Sequence, residues 1–252
     1  MNLLFLTSHV DVGGITSYLL MVTGGLTARG HEVTVMSGGG ALVEVFEAQG
    51  VRHIRVPLRT KSEVHPKLWF AYRQIRRFLK DHPVDVIHAQ TRVSQVVGTW
   101  VSRRAGIPMV STFHGYLKPR WGRRLFPCLG ELVIAISPPV QQHLIHAFRV
   151  PSSRLALVEH GIPVERFQAP SPEVRRTLRQ EFGIPEDAFA VGTVARLVPN
   201  KGIDRLIRAV AVVAERHPSV QLVIVGSGPE ETRLRMLTTS LGLAGRALFL
   251  GS

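Results

Sequence analysis

Short apolar segments alternate with helical patterns along almost the whole chain, and this alternation restricts the fold more than any other feature. The apolar segments are continuous rather than interrupted by polar residues, which is typical of strands buried on both faces of a parallel sheet. In the first two thirds of the chain we predict strands at Leu3–Thr7, Glu32–Met36, Val51–Pro57, Val84–His88, Met109–Thr112, Leu132–Ile136 and Leu155–Val158. Between them we predict helices at Ile15–Arg29, Leu42–Gln49, Leu68–Lys80, Ser94–Arg104 and Pro139–Phe148. This order indicates an α/β protein whose parallel sheet is covered by helices on both faces.

A proline-rich stretch around Pro170-Ser171-Pro172 divides the chain. We predict an N-terminal domain at residues 1–165, a linker with a connecting helix at 166–189, and a partial C-terminal domain at 190–252. Beyond the linker we predict the elements Ala190–Ala195, Lys201–Arg216, Val220–Gly226, Glu230–Leu241 and Ala247–Leu250. The chain then contains one complete sheet domain and the first half of a second.

The segment Val191–Gly202, VGTVARLVPNKG, combines a strand, a turn with two cations and the start of a helix. Arg196 and Lys201 follow the carboxyl end of the strand and flank the helix N-terminus. Parallel sheets bind ligands at that edge, and free helix amides there receive phosphate. Two cations at such a place suit a diphosphate. The alternative is that both side chains are solvated surface cations.

Three motifs in order resemble the retaining glycosyltransferases of family 4, which have the GT-B fold of two Rossmann-like domains. They are G-T-V-A-R-L-x-x-x-K-G, V-I-V-G-S-G-P-E and the strand Ala247–Gly251. The resemblance implies that Arg196 and Lys201 hold the pyrophosphate of a UDP- or GDP-linked sugar. It also implies a donor-binding loop containing Gly226, Gly228 and Glu230. The nucleotide-sugar is a co-substrate, so no cofactor is expected.

A second glycine-containing segment, Thr7–Ile15, follows the first strand and opens the first helix. Gly13 and Gly14 would let the backbone approach a ligand closely, with the following amides pointing at it. The spacing is not G-x-G-x-x-G, which disfavours nicotinamide or flavin binding. In the similar family this loop lies near the donor phosphate and the acceptor, so we assign both glycines to donor-phosphate binding. A plain tight turn is the alternative.

His114 is the candidate catalytic residue. It follows the strand predicted at Met109–Thr112 and precedes Gly115, which leaves room for a ligand. It resembles the family's His-Gly motif, whose imidazole contacts the donor sugar. His88 also ends a strand and is the second candidate, while a structural role in the core is the alternative for His114. His160 stands where the family usually has Asn, and we interpret that turn as architecture.

Charge is concentrated in one half of the chain, whose formal net charge is +13. Residues 52–124 hold 16 Lys or Arg and three acids, which indicates an anionic partner. The helix Lys67–Lys80 and the cluster Lys118–Arg124 mix these cations with aromatic residues, a pattern that suits an anionic membrane surface. The alternative is a core-facing apolar stripe with a solvated basic face. No motif for specific nucleic-acid binding is present.

The single cysteine, Cys128, excludes an internal disulfide. No apolar run is long enough for a membrane span, and the N-terminus lacks the pattern of a signal peptide. We therefore expect a cytoplasmic protein that can also lie at the inner face of the membrane. The acceptor is an unidentified glycan or lipid, with a lipid-linked or cell-envelope glycan as one option.

The resemblance covers only the leading part of the family's architecture. The family's Glu-x7-Glu pair should follow, and we interpret the matching spacings Glu165/Glu173 and Glu173/Glu181 as coincidences. The sequence therefore predicts a truncated, metal-independent glycosyltransferase that is inactive alone; no Asp-x-Asp signature occurs and no metal site is predicted. A nucleotide-sugar 2-epimerase of the same fold and a non-catalytic fragment that binds anionic surfaces are the alternatives.

Overall fold

The computed structural model describes residues 1–251 apart from the side chain of Arg166, and it forms two compact units, one covering Met1–Ile162 and the other beginning at Pro163. The strands of the first unit are β1 (Asn2–Leu6), β2 (Glu32–Ser37), β3 (Arg52–Arg55), β4 (Val86–Ala89), β5 (Met109–Phe113), β6 (Leu132–Ala135) and β7 (Leu155–Leu157). Its helices are α1 (Gly14–Thr27), α2 (Val43–Ala48), α3 (Lys67–Asp81), α4 (Arg92–Ala105), α5 (Trp121–Leu125) and α6 (Pro138–Phe148). The strands form one parallel sheet in the order β3-β2-β1-β4-β5-β6-β7.

This order makes the boundary between β1 and β4 the point where the chain changes direction across the sheet. From β1 the chain adds β2 and β3 on one side, and then returns to place β4 on the other side of β1. The helices after β1 and β4 consequently leave in opposite directions, which opens a crevice at the carboxyl ends of these strands. Ligands of doubly wound sheets bind in such crevices.

Both faces of the first sheet are buried, as the continuous apolar strands predict. Leu4 and Leu6 of β1 pack with α3 and α4 on one face, whereas Phe5 packs with α1 and α2 on the other. The α3 stripe faces the core: Leu68 and Ile75 are buried and Tyr72 and Leu79 pack against them. The apolar stripe of α3 therefore faces the core, as the alternative interpretation had it, and the basic face of α3 is exposed to solvent.

The second unit contains α7 (Pro172–Glu181), β8 (Phe189–Val194), α8 (Ile203–Arg216), β9 (Val220–Val225), α9 (Glu231–Ser240) and β10 (Ala247–Gly251). Its three strands are parallel, in the order β10-β9-β8. Ile203, Ile207 and Val210 of α8 are buried against Leu222 and Ile224 of β9, at the helical spacing seen in the sequence. The predicted fold class, one parallel α/β sheet domain followed by a smaller second parallel sheet, is confirmed.

Within residues 1–251, none of the helices combines the length and apolarity needed to cross a bilayer. The structure adds one helix that the sequence analysis did not predict, the five-residue α5 between β5 and β6. Three short 3-10 turns also occur, at Ser152–Arg154, Val164–Phe167 and Pro199–Lys201.

Candidate active site

Polar and aromatic side chains gather at the carboxyl ends of β1, β4 and β5, next to the crevice of the first sheet. Thr7 follows β1 and Gln90 follows β4. The backbone N–H of Gln90 donates to the Leu6 carbonyl (2.9 Å). His114 follows β5, and its Nε2 lies 2.8 Å from Oε1 of Gln90. The sheet thereby fixes three side chains from three strands at one edge, as the topology predicts for a ligand site.

Three aromatic rings complete this cluster. Tyr18 lies on the second turn of α1. Its ring meets the His114 ring edge-on, with 4.9 Å between the ring centroids, and stacks on the His160 ring, with 4.6 Å between the centroids. The His114 and His160 rings are 5.4 Å apart. His160, which we interpreted as architecture, therefore belongs to the surroundings of His114.

The His114 imidazole is neutral at physiological pH. Burial lowers its pKa to about 4, with a further contribution from His160, because a charged imidazole would lose its hydration there. A neutral ring has one N–H and one lone pair. With the Gln90 amide assigned so that Oε1 faces the ring, Nε2 carries the proton and Nδ1 offers the lone pair.

Three polar atoms of this cluster are buried and have no hydrogen-bond partner in the described part of the chain: Thr7 Oγ1, Gln90 Nε2 and His114 Nδ1. Buried polar groups are ordinarily hydrogen-bonded in folded proteins. A hydroxyl donor and acceptor, an amide donor and an imidazole acceptor are thus left over at one edge of the sheet. Water or the hydroxyls of a bound ligand would complete the network.

His88, the second candidate, is engaged within the protein. Its Nε2 lies 2.7 Å from the Thr112 hydroxyl and its ring contacts Phe5 at 4.9 Å. Burial lowers its pKa to about 3, and His114 adds to this effect. Burial also raises the pKa of the Tyr18 phenol, which a hydrogen bond to Thr112 partly offsets. His88 and Tyr18 are therefore both held by contacts within the protein, and both contact Thr112.

Gly13 and Gly14 lie at the start of α1, one turn before Tyr18. Both are exposed, and a Cβ added at either would meet no atom within 4 Å. Gly13 has an extended backbone (φ 166°), which any residue adopts. Neither packing nor backbone conformation within the described chain thus requires glycine here, and the space above both residues is open to a ligand.

In the second unit, Arg196 and Lys201 lie where the sequence places them. Arg196 follows β8, and Lys201 ends the 3-10 turn before α8. Gly202 caps α8 with φ 65°, and the helix has no side-chain cap, so its first amides are available to an anion. Both cations are exposed, and neither has a side-chain partner among the residues that the structure describes.

Gly226 and Gly228 have a packing role that the sequence analysis did not recognise. A Cβ on Gly226 would lie 2.0 Å from the Ala195 carbonyl oxygen, and one on Gly228 would lie 2.4 Å from the Leu197 carbonyl oxygen. The amide of Glu230 also donates to the Leu197 carbonyl (3.1 Å). The glycine loop therefore packs directly against the backbone on both sides of Arg196.

Glu230, predicted in the same loop, directly precedes α9 and pairs with a residue of that helix. Its carboxylate lies 2.5 Å from the Arg233 guanidinium. The structure thus groups the predicted residues into two sets, His114 with Gly13 and Gly14 in the first unit, and the five remaining residues in the second. Sequence reasoning missed Tyr18 and Gln90; the position of Gln90 directly after a strand was the available signal.

Two parallel α/β sheets, each with ligand-binding features at the carboxyl ends of its strands, define the class of GT-B proteins. The solved structure of a glycosyltransferase from Rickettsia africae has this fold, with a TM-score of 0.87 at 20% identity, over 100% of this chain and 68% of that one. Anabaena HepE, solved in complex with UDP, is 26% identical with a TM-score of 0.81, over 100% of this chain and 69% of that one.

The family models make the assignment specific. The model of Glycosyltransferase Family 4 matches residues 12–166, and that of Glycosyl transferases group 1 matches residues 174–252. The chain therefore belongs to glycosyltransferase family 4, which confirms the resemblance inferred from the motifs.

Curated relatives from bacteria extend this result. A GDP-mannose-dependent alpha-(1-6)-phosphatidylinositol monomannoside mannosyltransferase of Mycolicibacterium smegmatis is 30% identical over 94% of this chain and 63% of its own length. A D-inositol 3-phosphate glycosyltransferase of Nocardioides is 28% identical over 93% of this chain and 58% of its own length. The chain thus spans about six tenths of the length of these relatives.

Proposed function

We propose that the protein transfers a sugar from a UDP- or GDP-linked donor to an acceptor, with retention of configuration and without a metal ion. The observation that carries this proposal is the pair of exposed, unpartnered cations Arg196 and Lys201 beside the uncapped N-terminus of α8. The relatives support a nucleotide-sugar donor: HepE has been solved with UDP-glucose, and the Mycolicibacterium enzyme is described as GDP-mannose-dependent.

The proposed chemistry follows from the charge that develops during transfer. Breaking the bond between the anomeric carbon and the nucleoside diphosphate builds negative charge on the leaving β-phosphate. Fixed cations and helix amides stabilise that charge more in the transition state than in the ground state, which lowers the barrier. Arg196 and Lys201 supply this stabilisation, so the mechanism does not require a metal. Gly226 and Gly228 position the backbone that carries Arg196.

His114 is proposed to contact the sugar undergoing transfer. The Nδ1 of the neutral His114 ring can accept a hydrogen bond. The unpartnered Gln90 Nε2 and Thr7 hydroxyl lie in the same cluster. A sugar hydroxyl both donates and accepts, so it can satisfy such leftover groups. Gly13 and Gly14, with open space above them, are proposed to admit the donor phosphate near the start of α1.

The acceptor is proposed to be an anionic, lipid-linked molecule at the inner face of the membrane. The basic region 52–124 supplies the attraction, and aromatic side chains within it are exposed, among them Trp69, Phe70 and Trp121. Two of the relatives are described as acting on a phosphatidylinositol mannoside and on D-inositol 3-phosphate, which are both anionic.

Incubation of the full-length enzyme with labelled UDP- and GDP-sugars, with and without a membrane extract, tests the proposal. Transfer of label to a lipid fraction only in the presence of the extract is expected. An enzyme of the 2-epimerase kind would convert the nucleotide-sugar without any acceptor. Conversion of this second type, or no consumption of either donor, would contradict the proposal.

A further inference from the structure

A groove of about 830 Å³ lies on the first unit along one side of α4. Its other walls are the segment before α3 (residues 61–64) and the segment from Arg120 to Glu131 that contains α5. The chain crosses from β5 to β6 through this second segment with a helix of only five residues, whereas α4 has 14. Because no full-length helix packs beside α4 there, a groove remains between α4 and this segment.

The α4 residues that line the groove recur at helical spacing. The residues of α4 that line the groove include Val96, Thr99, Trp100 and Arg103. The side of α4 that packs on the core carries Val93, Val97 and Val101. Val96 and Thr99 are buried at the base of the groove, whereas Trp100 is 40% exposed and presents apolar surface to it.

The opposite walls are apolar and exposed as well. Val64 is 88% exposed, Phe126 is 70% exposed and Leu125 is 54% exposed. Together with Trp100 they form an apolar lining that water covers in the free protein. Exposed apolar surface of this kind, concentrated in a concave site, marks a binding site for an apolar group.

The charged lining is dominated by cations: six arginines or lysines against two glutamates. Three of the six are engaged. Arg92 and Arg123 pair with Glu63 at 2.8 Å and 2.5 Å, and Arg154 donates to backbone carbonyls of Gly130 and Glu131. The Glu131 carboxylate accepts from the Met109 amide at 3.0 Å.

The other three cations, Lys61, Arg103 and Arg120, have no side-chain partner within the part of the chain that the structure describes. They are thus available to an anionic group that enters the groove, and the anionic side chains nearby are already engaged.

The groove is held in shape by the ion pairs at its base. Burial raises the pKa of the Glu63 carboxyl, but hydrogen bonds from Arg123 and Arg92, together with their charge, outweigh burial and lower it. Arg92 also donates to the backbone carbonyls of Phe126 and Pro127. One arginine thus ties α4 to both other walls, so a ligand does not have to order the groove.

We propose that this groove binds a single anionic lipid, with its phosphate on Arg103, Arg120 and Lys61 and the first part of its chain along Trp100, Leu125 and Phe126. An apolar lining beside unpartnered cations complements an amphiphile that has both parts, and neither a free phosphate nor a neutral lipid satisfies both. The inference rests on the membrane contact in the proposed function, but not on sugar transfer. The proposed lipid contact is thus one defined groove rather than the whole basic region 52–124.

The experiment measures protection of Cys128, the only cysteine, which lines the groove and is partly exposed. The 252-residue protein is treated with a thiol reagent in the presence of dihexanoyl phosphatidic acid below its critical micelle concentration. Dihexanoyl phosphatidylcholine and inorganic phosphate at equal concentration are the comparison probes. We expect saturable slowing of Cys128 modification by phosphatidic acid, at one molecule per chain, and no slowing by the other two.

Two pairs of variants separate the groove from the basic surface at large. Arg103→Gln/Arg120→Gln removes two groove cations, and Arg73→Gln/Arg77→Gln removes two exposed cations of α3 from the same basic region. The first pair should weaken protection by phosphatidic acid about tenfold or more, because charge-assisted contacts are lost. The second pair should leave it within about twofold, because it changes only the surrounding field.

Phe126→Ser with Phe70→Ser as its control applies the same comparison to the apolar wall, since both side chains are exposed. Phe126→Ser should weaken protection and Phe70→Ser should not. Equal protection by phosphatidylcholine or by inorganic phosphate would overturn the inference, as would equal losses in the two arginine pairs. The protection assay contains no sugar donor, so its result does not depend on sugar transfer. Lipid protection here, combined with no transfer in the separate incubation with nucleotide-sugars, would contradict the proposed function alone.

Discussion

His88 makes the stability of the first unit depend on pH in a defined window. In the folded protein its pKa is lowered to about 3 by burial, whereas an unfolded histidine titrates near pH ~6.5. Between these values the unfolded chain binds one more proton than the folded one, so the free energy of unfolding falls as pH falls. The stabilisation is fully present above pH ~6.5 and is lost progressively below it.

The size of the effect follows from the two pKa values. At pH 5 the unfolded histidine is mostly protonated and the folded one is not, which amounts to about 1.5 pH units at ~1.36 kcal/mol each. We therefore expect His88 to account for about 2 kcal/mol of the stability lost between pH 7 and pH 5. His88→Gln keeps a hydrogen-bonding group next to Thr112 and removes the titration.

Urea unfolding followed by tryptophan fluorescence measures this loss. Trp69, Trp100 and Trp121, the only tryptophans, all lie in the first unit, so the signal reports on that unit. His146→Gln on α6 is the control, because His146 is exposed. His88→Gln should lose about 2 kcal/mol less than the wild type and the control between pH 7 and pH 5. Equal losses in all three proteins would refute the buried, neutral state of His88.

Three further changes test other parts of the account. Gly226→Ala should weaken UDP binding and lower stability by about 2 kcal/mol or more, because its Cβ would lie 2.0 Å from the Ala195 carbonyl oxygen; Gly245→Ala, where a Cβ meets nothing within 4 Å, should do neither in the same calorimetric titrations and melts. Glu63→Gln should cost about 2 kcal/mol in urea unfolding, since two arginines would lose their partly buried partner; an unchanged midpoint would contradict this. His114→Ala in an active full-length enzyme should lower kcat far more than it weakens nucleotide binding; comparable losses of both would instead indicate a role in donor binding or in folding.

The strands and helices of this chain could be predicted from the sequence because each local pattern agrees with its place in the fold. Continuous apolar strands and helices at 3.6-residue spacing are what a parallel sheet covered on both faces requires. β8, for example, was expected at Ala190–Ala195 and lies at Phe189–Val194. The helix α5 was missed, since five residues bearing Trp121 and two arginines show no apolar repeat.

The candidate sites were only partly predictable, because some of their contacts join segments that are far apart in the sequence. Strand ends can be located from sequence, so His114, Arg196 and Lys201 could be named. Whether a side chain is left without a partner depends on segments far apart in the chain. Tyr18 meets His114 only because the fold brings α1 next to the residue that follows β5. Gly226 meets Ala195 only because the segments after β9 and β8 lie against each other. The roles assigned to all of these residues in sugar transfer stay predictions.

The central claim is that Arg196 and Lys201 form a diphosphate site, and calorimetric titration of the chain with UDP and GDP tests it most directly. Arg196→Ala and Lys201→Ala should each weaken the better of the two ligands about tenfold or more, since a charge-assisted phosphate contact contributes roughly 1.5–3 kcal/mol. Arg208→Ala on the exposed side of α8 removes an equal charge a few residues away and should leave the affinity nearly unchanged. No binding of either nucleotide by the wild-type chain, or equal affinity in all three variants, would contradict the account.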